Sequence, residues 1–224
     1  MAKKTTQQEI RQQNVAEAVS KTDQFFKENG KIIYGCVIAV LVIALAILAY
    51  NRFILQPKKI QAQDEMVKAE QWFENGEYEL ALAGDGNDLG FEDLIDQYGA
   101  KGGQAVYLYA GVAKLQLGAY DEAINYLKKY KGKDPILLGR AQCCIGDAYV
   151  GNGDYATAIT WFEKAAKTTD NLFAASYLIK AGIAAEAMGD ADKALAYYKD
   201  VKENYANAPE ASEIDKYITR IENK

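Results

Sequence analysis

The stretch from Asp85 to Asp96, Asp-Gly-Asn-Asp-Leu-Gly-Phe-Glu-Asp-Leu-Ile-Asp, carries the carboxylate spacing that comes nearest to metal chemistry. Laid on a calcium loop, Asp85, Asn87, Gly90 and Asp96 fall at positions one, three, six and twelve. Position five is Leu89, however, and the bidentate Glu of position twelve is an Asp. A capped turn leading into a short helix, Phe91–Tyr98, accounts for the same residues and is the better reading. Cysteine offers no more. Cys36 lies in an apolar run, and Cys143 and Cys144 are chain neighbours that diverge on a helix and make poor disulfide partners. They read as small buried apolar residues. Histidine is absent, which removes the usual general base and the commonest metal ligand together. No nucleophile with a base, phosphate-cradling glycine loop or metal cluster is found, so the sequence argues against an enzyme and calls for no cofactor.

The elements that organise the chain are more telling. Ile32 to Tyr50 is a run of 19 residues without charge or proline, 11 of them Ile, Leu or Val. As a helix it is about 28 Å long, close to the ~30 Å hydrocarbon core of a bilayer. It exceeds the h-region of a cleaved signal and no lipid-attachment cysteine follows it, so residues 32–51 read as an uncleaved signal anchor. Lys21, Lys27 and Lys31 on one flank balance Arg52, Lys58 and Lys59 on the other, which leaves orientation undecided by charge. Gly35 and Ala39 form a small-x-x-x-small pair that could seat another membrane helix. In the preceding tail, residues 1–31, a Gln-rich start reads as disordered. Val15 to Asn29 reads as a short amphipathic helix stopped by Gly30, serving as an interfacial collar or a docking peptide.

Charge divides the chain. Residues 1–59 hold nine Lys/Arg against four Asp/Glu, whereas residues 60–224 hold 17 against 27. An acidic domain argues against nucleic acid as a partner and against lying flat on anionic lipid.

That acidic part is repetitive. Gly76, Gly118, Gly153 and Gly189 are each followed five residues later by Ala81, Ala123, Ala158 and Ala194. Each is preceded by a small residue seven positions earlier: Ala69, Gly111, Gly146 and Gly182. The spacings of 42, 35 and 36 approach the about 34-residue period of the tetratricopeptide repeat. Each glycine permits the turn between two antiparallel helices, and the small residues let those helices approach. A single hairpin cannot bury its apolar face, so stacking is required. The expected fold is all-α: a transmembrane helix, then residues 59–224 as a tetratricopeptide-repeat-like α-solenoid of about four hairpins. An acidic insert interrupts it at 84–102, and a capping helix follows Pro209.

Counting in register along the first helix of each hairpin gives a concave face of Leu108, Val112, Arg140, Cys143, Asp147, Ile179 and Ile183. It is mainly apolar and lacks the Lys/Asn/Arg clamp that holds a C-terminal carboxylate. This suits an apolar, helix-like or unfolded segment lying in a groove. Packing of these residues on the insert or terminal helix is the competing account. Most of the 16 tyrosines fall at helix-face positions, but Tyr107/Tyr109 and Tyr197/Tyr198 should each turn one ring outward.

The layout as a whole, and Phe25-Phe26-Lys-Glu-Asn-Gly-Lys31 just before the apolar run, resembles the YfgM-type ancillary subunit of the SecYEG translocon. The acidic insert departs from that pattern. The resemblance implies a cytoplasmic N-terminus, an inner-membrane anchor and a periplasmic repeat domain. It also implies contact with the translocon, periplasmic chaperones and client polypeptides. The alternative is a self-associating envelope scaffold, a homo-oligomer held through the outward tyrosines.

Overall fold

The computed structural model describes residues 7–99, 102–169 and 171–223, and among these the regular structure is helical throughout. The chain divides into two compact units, residues 1–57 and 58–224.

In the first unit, α1 runs unbroken from Gln7 to Tyr50 and is followed by a single π-helical turn, Asn51–Leu55. Two expectations give way here. The described part of the Gln-rich start, from Gln7, is helical, and Gly30 does not stop the helix. A lone glycine costs about 1 kcal/mol relative to alanine in a helix. That is too little to break a run with good helix formers on both sides. The apolar part of α1 is exposed along its length, as Leu41 and Leu45 show. Among the described residues, one helical stretch is long and apolar enough to cross a membrane, and it contains this run.

The second unit is built from hairpins. They pair α2 (Gln56–Glu74) with α3 (Tyr78–Ala83) and α5 (Ala105–Gln116) with α6 (Tyr120–Lys129). Then come α7 (Pro135–Gly151) with α8 (Tyr155–Thr169) and α9 (Leu172–Ala187) with α10 (Ala191–Asn204). The four turn glycines hold φ between 73° and 80°, a left-handed conformation that other residues seldom adopt. Inside the hairpins the small residues do what the spacing implies. A Cβ at Gly146 would lie 2.5 Å from Phe162 Cε1, so α7 and α8 can cross this closely only with glycine there.

Apolar side chains form one core across hairpins one to three and another across three and four. Helix α7 serves both, through Ile145 on one side and Cys143 on the other. The insert is packed rather than loose. Its helix α4 (Phe91–Tyr98) buries Phe91, Leu94 and Tyr98, and Phe91 stacks on Tyr109 at 5.4 Å. After a 3-10 turn, α11 (Ile214–Glu222) buries Ile214 and Ile218 and so closes the open end of the stack.

Candidate polypeptide-binding groove

The first helices α5, α7 and α9 run in parallel, one from each successive hairpin, and carry all seven groove residues. The structure sorts six of them, all but Asp147, into three kinds. Leu108 and Val112 are half-buried against the N-terminal core. Cys143 and Ile179 are drawn into the C-terminal core. Arg140 and Ile183 remain open, with Ile183 46 % exposed. The accessible face is therefore less apolar than the register count implies, because two of its apolar members pack inward.

Asp147 sits between these groups, half-buried, and is not free. Lys180 donates to both of its carboxylate oxygens, at 2.7 and 2.6 Å, joining α9 to α7 across the face. Lys180 escaped the register count because it stands between Ile179 and Ile183 at a position without a repeat-consensus role. Its signal was an opposite charge lying 33 residues, about one repeat, beyond Asp147.

The same interval recurs elsewhere. Tyr98 donates to Glu65 at 2.8 Å and Tyr126 to Glu92 at 3.0 Å, while Tyr197 donates to Glu163 and Arg220 to Glu186. Each bond spans 33 or 34 residues and ties one helical layer to the next.

The cysteines have no reactive character. The Cys143 thiol faces Asp147 Oδ2 at 3.9 Å, and burial pushes it well above the ordinary thiol range, with the carboxylate adding to the effect. Burial likewise lifts Cys144 to about 11. Thiols so shifted are protonated, and hence poor nucleophiles, at neutral pH. In the insert, Asp85 Oδ1 accepts from the backbone N–H of Asn87 at 2.9 Å and of Asp88 at 2.8 Å. Those bonds hold its carboxyl below the usual range and make it the anchor of its own turn. No group of three potential metal ligands converges among the described residues.

The tyrosine pairs differ from expectation. Tyr107 and Tyr198 are buried, Tyr109 stacks on Phe91 and meets Phe73 edge-on, and Tyr197 is bound to Glu163. Neither pair turns a free ring outward, because repeat-to-repeat packing uses both members. Gly35 has no neighbour within 4 Å of where a Cβ would stand.

Helical hairpins stacked with their first helices side by side define an α-solenoid, a class that works by binding other proteins. The sequence model of the tetratricopeptide repeat family matches residues 137–207, which covers α8, α9 and α10 and most of α7. The chain thus carries tetratricopeptide repeats, and these are protein–protein interaction modules. No curated protein matches it.

Proposed function

We propose that the chain is a membrane-tethered polypeptide-binding module, ancillary to a bacterial translocon or to the periplasmic chaperones that receive its products. Helix α1 is its inner-membrane anchor, with the N-terminus in the cytoplasm and the repeat unit in the periplasm. The residues before the apolar run that resemble the translocon subunit support this orientation. Gly35 and Ala39 offer a seat for a partner's membrane helix.

The observation that carries the reading is the first-helix face of α5, α7 and α9. It presents Ile183 and Arg140 to solvent around the Asp147–Lys180 bridge, with Leu108 and Val112 half-open beside them. An apolar or helix-forming client segment fits such a face, with Ile183 as its apolar contact. Tethering raises the local concentration of client, so a modest affinity suffices.

A photoreactive residue at Val112 or Ile183, in the full chain in native membranes, tests this directly. Crosslinks to polypeptides are expected. Labelling of lipid alone, or of nothing, contradicts the reading.

A further inference from the structure

The net acidity of the repeat unit conceals a basic edge. Thr168 donates to Gln142 at 2.8 Å, and a Cβ at Gly139 would press on Thr169, so the end of α8 lies at the start of α7. The backbone N–H of Lys131 donates to Gln104 at 2.6 Å, which brings the α6–α7 connection to the start of α5. Helix α9 begins at Leu172, three positions after this end of α8. Helix ends α6 and α8 and helix starts α5, α7 and α9 therefore share one edge.

Its cations are Lys128, Lys129, Lys131, Lys133, Lys164 and Lys167, all exposed. None of the six is ion-paired with a carboxylate among the described residues, although six other Lys/Arg side chains of this unit are. Asp134 lies among them and caps α7 by accepting from the N–H groups of Ile136 and Leu137, while Glu163 and Asp200 line a pocket with Lys167, and Asp200 another with Leu172. Lys128 and Lys164 both flank the half-buried Trp161 ring, at 5.8 and 4.6 Å. At the opposite edge the turns carry Glu77, Glu79, Asp121, Glu122, Asp154 and Asp190, so the unit is polarised.

The basic edge is also greasy. Ile136 and Leu137 open α7, Leu172 and Phe173 open α9, and all four are between 42 and 51 % exposed. Lysines around a tryptophan beside projecting aliphatic and aromatic side chains match the interface of an anionic bilayer. A soluble acidic polypeptide would satisfy the lysines but leave those four side chains in water.

Helix α2 begins at the same edge. Ala62 meets Gly102 just before α5, and further on Phe73 meets Tyr109, so the two helices run the same way. Lys58 and Lys59, the first residues of the unit, thus add to this edge.

We infer that the edge where the first helices begin docks on the anionic surface of the bilayer that anchors the chain, with Leu172 and Phe173 entering the interface. This rests on the reading of α1 as a membrane anchor. It replaces the expectation, drawn from average charge, that the domain avoids anionic lipid. Docking leaves the acidic turns pointing away from the membrane.

The test is amide hydrogen exchange on the full chain, one copy per nanodisc, in discs of phosphatidylcholine alone or with phosphatidylglycerol. Slower exchange at 131–138 and 171–176 is expected only with phosphatidylglycerol, with residues 152–156 unchanged. Each lysine changed to Gln among Lys128, Lys131, Lys133 and Lys167 should lower the docked-to-free ratio roughly fivefold. High salt should abolish the protection, since the Debye length falls to about 3 Å at 1 M. Equal exchange in both discs overturns the inference while leaving the anchor intact. So does equal protection by soluble polyglutamate in phosphatidylcholine discs. A chain retained by neither disc contradicts the anchor, and the docking with it.

Discussion

Lys180 Nζ lies 2.6 Å from Asp147 Oδ2 and 2.7 Å from Oδ1, a forked contact that joins α9 to α7 across the groove face. Burial of the ammonium works against it, yet Lys180 is held above the ordinary lysine range. The neighbouring Cys143 and the Asp147 carboxylate both raise it, and Asp147 is the partner that Lys180 hydrogen-bonds. The raised folded value means this contribution is whole below about pH 10.4 and is lost as pH rises through the folded value. Both side chains are partly exposed, so the coupling is modest. We predict about 0.5–1 kcal/mol from a Lys180→Met, Asp147→Asn double-mutant cycle in urea at pH 7. The coupling should vanish on strongly alkaline titration.

Tyr126 makes a second prediction with the same sign. Burial first, and the Glu92 carboxylate second, push its hydroxyl from the ordinary value near 10 up to about 12. The unfolded tyrosine ionises at about pH 10 while the folded one keeps its proton, so stability falls as pH rises from there to about 12. Wild type should therefore lose urea resistance more steeply over that interval than Tyr126→Phe. Parallel slopes would contradict the link between Tyr126 and the insert helix α4.

Gly146 tests the hairpin crossing. A Cβ there would stand 2.5 Å from Phe162 Cε1, and Phe162 is fully buried. Overpacking of this kind costs about 1–3 kcal/mol, against a gain in helix propensity of about 1 kcal/mol. Gly146→Ala should lower the urea midpoint, by about 1–2 kcal/mol in stability if the crossing cannot relax. Adding Phe162→Leu should make the double variant more stable than the sum of the single effects.

Much of this fold was legible in the sequence because its rules are local and repeat. The turn glycines and the small residues seven positions before them are backbone requirements, and each recurs in every hairpin. The end of α1's polar stretch was not legible, since Gly30 looks like a stop signal until the helix formers around it are weighed together. The groove was legible only in part. Register places Cys143 and Ile179 on the first helices, but their inward turn depends on what the adjacent second helices bury. Lys180 and the basic edge were hidden for a related reason. Both depend on which residues of different repeats become neighbours, and net composition averages over that.

The central claim, that the first-helix face holds other polypeptides, is tested most directly by titrating a permanently unfolded polypeptide against the full chain in nanodiscs. Saturable binding is expected, weakened roughly tenfold by Ile183→Asp, as for loss of an apolar anchor in an interface. Absence of saturable binding, or an affinity that Ile183→Asp leaves unchanged, would contradict it.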